Sequence, residues 1–341
     1  GGAFVVSGCS GVFHLDTTGA VTAVPLADPD DRSGVVGDGC GTALASGGGA
    51  TLWARAGRWL YRVRGRQTRR IAVELPNDEG PIAAAPDGTV WVASRKGSVV
   101  RVAPEGAIVR RVDLAPSLMS AVVAPDGALW VGGDGQVFRI GPDDVTTYGP
   151  EANVPRGLVR DVVPDVDGTV WIGTYGGGAG RLKAGRVARL TVEQGLPDNS
   201  ISRILDDGRG RMWISTNRGL AVVDKVALDA VADGHLRAVA PVVLGPERGV
   251  AEANFGSPAG FAGPDGRLWF GTIEGVAVID GSAFPFNTRP QDVRVESILA
   301  DERLLPLAEL VQVPALTTRV QLRFTTFELL YPELMRFRFR I

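Results

Sequence analysis

The chain of 341 residues carries 36 Lys and Arg against 38 Asp and Glu, a formal charge of −2, and 45% of it is hydrophobic. That is apolar material for one large domain or two ordinary ones, without the basic excess of a dedicated nucleic-acid binder. Its 46 glycines and 22 prolines are spread along the chain, as many turns between short elements require, and no run of 18 apolar residues offers a membrane-spanning helix.

In chain order, the sequence opens Gly-Gly-Ala with neither Met nor a signal peptide. It stops inside an alternating stretch, Arg336–Ile341, so it reads as part of a longer protein. Two cysteines, Cys9 and Cys40, allow one disulfide but no metal set, and unpaired thiols are the simpler reading. Of the 36 basic residues only Lys96, Lys183 and Lys225 are lysine, a bias that fits a GC-rich genome better than a site.

A repeat then dominates. Gly-x-x-Trp followed by an apolar residue occurs at Gly88–Trp91, Gly127–Trp130, Gly168–Trp171, Gly210–Trp213 and Gly266–Trp269. A looser copy surrounds Trp53, and Val5–Gly11 keeps the glycine spacing without the tryptophan. The tryptophans are 38, 39, 41, 42 and 56 residues apart. A period near 40, with short Val/Ile/Leu runs between Pro-Asp-Gly, Asp-Gly and Gly-Gly turns, is the pattern of four-stranded propeller blades. In the clearest copy the spacing predicts inner strand A over 201–205, B over 211–215 and C over 220–223, with a poorly defined outer strand D. Asp207–Gly210 and Thr216–Gly219 are the turns. Trp53, Trp91, Trp130, Trp171, Trp213 and Trp269 are the expected wedges between blades, each burying on the order of 200 Å².

Seven units predict an all-β, seven-bladed β-propeller over 1–288, its first blade incomplete. The longest tryptophan step holds Lys225–Gly234, whose composition and glycine stop predict a short helix decorating the last blade, with 241–244 returning to strand. After Pro290 the rhythm changes. Stretches 293–299, 311–313, 320–327 and 336–341 read as strands of a truncated, immunoglobulin-like β-sandwich over 289–341.

These residues carry a resemblance. Gly168-Thr-Val-Trp-Ile-Gly-Thr174 and Gly195-Leu-Pro-Asp-Asn-Ser-Ile201 resemble the two-component regulator propeller repeat. The stretch from Phe324 through Tyr331-Pro-Glu to Phe337-Arg-Phe resembles the start of the triple-tyrosine-type β-sandwich that follows such propellers. The resemblance implies a bacterial, periplasmic sensing region whose sandwich leads to a membrane-spanning helix outside this chain and mediates a homodimer. The output would be a histidine kinase, often hybrid, or a diguanylate cyclase.

Catalytic patterns are weak by comparison. His14 and His235 fall in a first-blade strand and in the insertion, and no nucleophile elbow or zinc spacing occurs. Gly176–Lys183 lacks the Gly-Lys-Ser/Thr ending of a phosphate loop, and Asp165-Val-Asp-Gly168 lacks the glutamate that closes a calcium loop. Both read as turns, and no cofactor or metal is expected. Arg55, Arg58, Arg62, Arg64, Arg66, Arg69 and Arg70 read as a solvated blade edge rather than an anion site.

Ligand binding remains. The B-to-C and D-to-A loops of a propeller open on one face, around the central funnel. Arg95, Lys96, Asp134, Tyr175, Asn217, Arg218 and Glu274 fall in B-to-C turns, and Asp198, Asn199 and Asn254 in D-to-A loops. This mixed set suits a small molecule, a sugar or a peptide held by hydrogen bonds and one stacking ring, Tyr175. For Asp198 and Asn199 bonding to their own turns is the preferred reading. Two other classes compete with a sensor. One is a streptogramin-lyase-like propeller, whose likeness implies a histidine and Mg²⁺ that these loops do not supply. The other is a scaffold propeller that docks a protein.

Overall fold

The computed structural model describes residues 2–6, 12–16, 18, 20–24, 26, 42–47, 51–65, 67–76, 78–253, 255–263, 265–284, 293–308 and 310–326. Cys9, Cys40, Arg66, Asn254 and the expected strand over 336–341 lie outside them. The chain divides into two compact units, Gly1–Ser282 and Ala283–Ile341.

The first unit is a β-propeller whose described strands form seven antiparallel sheets. The first sheet is β1 (Gly2–Val6), β2 (Val12–Asp16) and β3 (Val21–Val24). The second is β4 (Thr42–Ser46), β5 (Thr51–Ala56), β6 (Trp59–Arg64) and β7 (Gln67–Ile71). The third holds β8 (Ile82–Ala84), β9 (Val90–Ala93), β10 (Ser98–Val102) and β11 (Ile108–Asp113). The fourth holds β12 (Ser120–Val123), β13 (Leu129–Gly132), β14 (Val137–Ile140) and β15 (Val145–Tyr148). The fifth holds β16 (Val159–Pro164), β17 (Val170–Thr174), β18 (Gly178–Lys183) and β19 (Arg186–Leu190). The sixth holds β20 (Ile201–Asp206), β21 (Arg211–Thr216), β22 (Gly219–Asp224) and β23 (Val242–Leu244), with helix α1 (Lys225–Ala232) between its last two strands. The seventh is β24 (Phe255–Ala262), β25 (Arg267–Thr272) and β26 (Gly275–Asp280).

Each sheet meanders outward from its first strand. The inner strands β4, β8, β12, β16, β20 and β24 lie side by side in that order, and β24 also lies against β4. The first sheet, whose repeat has no tryptophan, packs Val12, Val24 and Leu26 against Ala54, Ala56, Tyr61 and Val63 of the second.

The Asp-Gly-x-x-Trp signature has a direct physical basis. Gly88, Gly127, Gly168, Gly210 and Gly266 all close A-to-B turns with φ between 80° and 86°, a left-handed region open to glycine at little cost. Ahead of four of them, an aspartate accepts the amide two residues on, as in Asp87 to Thr89 at 3.0 Å and Asp167 to Thr169 at 2.9 Å. The tryptophan that follows is buried and packs onto the next blade. Trp53 meets Val90 and Val92, Trp91 meets Leu129 and Val131, Trp130 meets Val159 and Ile172, and Trp171 meets Ile201 and Ile214.

Across the B–C ladder, Trp53, Trp91, Trp130 and Trp171 stand opposite Arg62, Arg101, Arg139 and Arg181. Arg101 lies 5.5 Å from the Trp91 ring centre, within cation–π range. Part of the arginine excess therefore covers blade wedges. In the second sheet Arg55 departs from the expected solvated edge. It is fully buried, and its guanidinium donates to the carbonyls of Gly57, Ala93, Pro76 and Asp78 and to the Asp78 carboxylate. Its β5 position faces the third blade, so period-2 alternation carried it inward while Arg58 and Arg64 stayed exposed.

The helix also differs from its expected place. It belongs to the sixth sheet, not the last, because Asp224 ends β22 and at once caps α1, accepting the Ala227 amide at 2.8 Å. Leu228 and Val231 then join the core beside Trp171 and Leu190. Arg181 clasps α1 through Asp229 (2.8 Å) and Asp233. Lys225 bridges Asp165 (2.5 Å) and Asp206 (2.6 Å), tying the A-to-B side of the fifth blade to that of the sixth. Burial pulls the Lys225 ammonium down, but the bonds to Asp165 and Asp206 outweigh it and hold it above the ordinary lysine value.

The hydrogen bond from Arg181 keeps the Asp233 carboxyl below its ordinary value. A depressed carboxylate contributes stability above its unfolded pKa of about 3.9 and loses it as pH falls through the folded value. The difference in melting temperature between the wild type and Asp233→Asn should therefore be full at pH 5 and shrink below about pH 4. A thermal melt series across that range checks this.

The second unit contains one three-stranded antiparallel sheet among its described residues. Its strands are β27 (Val293–Ala300), β28 (Arg303–Leu305) and β29 (Val320–Thr326), with β27 in the centre. The expected strand over 311–313 is irregular, and β28 pairs with β27 instead. A two-residue turn, Asp301-Glu302, with φ of 43° and 73°, makes that pairing possible. Asp301 braces it by accepting from the Thr318 and Arg319 amides. Since Glu302 holds a backbone that glycine adopts freely, Glu302→Gly should stabilise this hairpin by about 0.5–1 kcal/mol, measurable by chemical denaturation.

Candidate functional site

The B-to-C turns are built by a recurring device. A Ser or Thr at the end of strand B or just after it accepts the amide two residues on, donates to the carbonyl of the glycine that starts strand C, or does both. Thr216 accepts from Arg218 N (3.1 Å) and donates to Gly219 O (2.9 Å). Thr272 does the same with Glu274 and Gly275, Thr174 donates to Gly178 O at 2.7 Å, and Ser94 accepts from Lys96 N at 3.0 Å. Gly219 has φ 102°, and a Cβ there would stand 2.1 Å from Leu244 O. With the backbone satisfied internally, the two tip residues present their side chains to solvent.

These turns are stitched to the loop entering the next blade. Ser117 N donates to Arg95 O, Val159 N to Gly133 O, Gly135 N to Gly157 O, Gly176 N and Gly178 N to Asn199 O, and Ala253 N to Thr216 O. One face therefore brings together Arg95, Lys96, Asp134, Tyr175, Asn217, Arg218 and Glu274 from the turns with Asp198 and Asn199 from the loops. Asn254 lies outside the described residues. Arg95, Lys96, Asp134, Tyr175, Arg218 and Glu274 are exposed, and Asn217 is half-buried. Tyr175, at 46% exposure, is the large ring of this set.

Asp198 and Asn199 do turn work. Asp198 accepts from Ser200 N at 2.9 Å, and Asn199 accepts from Val192 N at 3.0 Å. Arg95 is held by Glu79 at 2.8 Å, both half exposed. The two histidines are elsewhere. His14 stands opposite Phe4 in β2, and His235 follows α1 in an exposed turn. Gly176–Lys183 is the end of the B-to-C turn and strand β18, and Asp165–Gly168 is an A-to-B turn. Among the described residues no group of three acidic, His or Cys side chains is placed to hold a metal.

Sequence reasoning missed the inner-strand residues beneath this face. The β16 ladder bulges at Arg160, between Val159 and Asp161. Burial pulls the Arg160 guanidinium down; Tyr175 pushes it up and Arg95 pulls it down again, so these three side chains share one field. Asp161, buried, accepts from Arg203 Nη1 (2.7 Å) and from Ile204 N (2.6 Å) of the sixth blade. Burial pushes its carboxyl up against the pull of Arg203. The signal was present: an Arg-Asp pair inside the apolar run Leu158–Val163 breaks the pattern of a buried strand. Chemically the face offers guanidinium and ammonium donors, carboxylates and one phenol ring. That set suits multiple hydrogen bonds to a polar ligand and contains no activated nucleophile.

Residues 195–218 match the family model described as the two component regulator propeller. That match lies in the sixth blade, from the loop entering β20 to the B-to-C turn. No curated protein sequence matches the chain. Among solved structures, this chain is similar to the extracellular domain of the putative one component system BT4673 from B. thetaiotaomicron. That likeness has a TM-score of 0.58 at 14% identity and covers 90% of this chain and 43% of the other. It is also similar to the WD40 β-propeller domain of Doa1 (TM-score 0.57, 16% identity, 81% and 88% covered). YCF48 bound to D1 peptide is a further likeness (0.56, 15%, 83% and 90%). At such identities the likeness shows the propeller fold. This chain spans less than half the length of the BT4673 domain.

Proposed function

We propose that this propeller is the periplasmic, ligand-sensing region of a membrane-bound bacterial two-component sensor. Its output domain, a hybrid histidine kinase or alternatively a diguanylate cyclase, lies outside this chain. The observation that carries the reading is the family match over 195–218, in the blade whose B-to-C turn presents Asn217 and Arg218. The fold shared with proteins described as extracellular domains of a putative one component or hybrid two component system supports it.

In this reading an oligosaccharide or peptide binds the turn face, stacked on Tyr175 and hydrogen-bonded by Arg95, Arg160, Asn217 and Arg218. Signalling requires that the ligand favour one arrangement of the receptor over another, relayed through the β27–β29 region and a homodimer formed there. A thermal-shift panel of oligosaccharides and peptides tests the site, because a ligand selective for the folded state raises the melting temperature. The expected result is a stabilising ligand whose effect disappears in Tyr175→Ala and Arg160→Gln. A stabilising ligand whose shift persists in both variants places binding elsewhere.

A further inference from the structure

The opposite face, formed by A-to-B and C-to-D turns, holds a feature that the sensor reading does not use. Between the fourth and fifth blades lies a cleft of about 390 Å³, within the range of small-molecule sites. Its walls include Trp130, Tyr148, Val166, Val170 and Leu182, with Lys183 among the lining residues. Trp130 and Tyr148 are stacked, ring centres 5.8 Å apart.

Comparison with the neighbouring blade junctions explains why this one is open. At the junction of the third and fourth blades, Arg110 on the outer strand, opposite Arg101, reaches across to donate to Gly141 O at 2.5 Å. At the junction of the fifth and sixth, Arg181 and Lys225 close the space with α1. In the fourth blade the residue equivalent to Arg110 is Thr146, opposite Arg139, too short to reach the next blade. The C-to-D turn of the fifth blade, at the edge of the cleft, holds Ala184 at φ 49°, a conformation that costs a non-glycine residue about 1 kcal/mol or more. Val166, at the repeat position where three other copies carry Pro86, Pro125 and Pro264 in sequence, is 88% exposed.

The charges of the cleft are unequal in availability. Arg139 is committed to Asp126 (2.9 Å) and also lies near Asp144. Asp165 is committed to Lys225. Lys183 forms no ion pair among the described residues; Asp167 and Asp233 are the carboxylates whose fields it joins. An apolar, aromatic-walled slot with an uncommitted ammonium complements a flat apolar body carrying one carboxylate.

We propose that the cleft between the fourth and fifth blades is a binding site for a small apolar carboxylate, its body against Trp130 and Tyr148 and its anion on Lys183. The site is separate from the turn face, so its failure leaves the sensor reading standing and the reverse.

Titration calorimetry of the 341-residue chain with naphthalene-2-carboxylate and the uncharged naphthalene-2-carboxamide tests it. The acid should bind one to one and the amide about tenfold more weakly. Thr146→Arg, which installs the bridge of the preceding blade, should weaken the acid at least about tenfold, and Lys183→Met should reduce the acid to the level of the amide. If Thr146→Arg loses the wild-type circular dichroism spectrum, Lys183→Met decides alone. Saturable binding absent up to about 1 mM, equal affinity for acid and amide, or unchanged binding in a folded Thr146→Arg variant overturns the proposal.

Discussion

Replacing Arg55 with Met should cost about 3–5 kcal/mol of folding stability, the range for removing one partner of a buried ionic group. The loss is not that of a salt bridge alone. The guanidinium satisfies four backbone carbonyls as well as Asp78, and it joins β5 of the second blade to the entry loop and B strand of the third. Burial pulls this guanidinium down while Asp78 pushes it back, so the pair is sustained by mutual neutralisation. Without Arg55, Asp78 keeps Ser94 as a donor but loses its counter-charge at 12% side-chain exposure. Arg55→Lys should recover less than half of the loss, since one ammonium cannot reach acceptors on three segments. Urea denaturation of the three proteins measures this; a loss under about 1 kcal/mol for Arg55→Met would show that water replaces the guanidinium without penalty.

Trp213→Ala should destabilise by a similar amount, about 3–5 kcal/mol, because the indole is fully buried and large-to-small changes leave a cavity. A graded comparison makes the expectation sharper. Trp213 Nε1 donates to Asp207 Oδ2 at 3.0 Å, and the same oxygen receives Arg211 Nε at 2.6 Å. Trp171 Nε1, by contrast, has no hydrogen-bond partner among the described residues. Trp213→Phe should therefore cost about 1 kcal/mol more than Trp171→Phe. Equal losses in chemical denaturation would mean that the indole bond to Asp207 contributes nothing net.

These two residues also show what the sequence makes legible. Trp213 was readable as a wedge because one physical constraint recurs. A left-handed glycine closes the A-to-B turn, and the tryptophan three positions on is buried in each copy. Repetition turns a weak local signal into a strong one, and the turn-face residues followed from the same register. Arg55 was not readable, because a run of arginines on alternating strand positions looks solvated unless the carbonyls awaiting it are known, and three of the four come from 21 to 38 residues away. Arg160 and the Asp161–Arg203 pair escaped for a related reason: each partner is polar inside an apolar strand, and the pairing spans 42 residues. Strand β28 was missed because its turn, Asp301-Glu302, adopts positive φ without glycine, and α1 was assigned to the wrong blade because the outer strand β23 comes after it.

The sensor reading makes one demand that can be checked without a ligand. Determining the coding sequence downstream of Ile341 should reveal the remainder of a β-sandwich, a membrane-spanning stretch of about 20 apolar residues and then the motifs of a histidine kinase or diguanylate cyclase. A stop codon soon after the sandwich, with no membrane span, would contradict it.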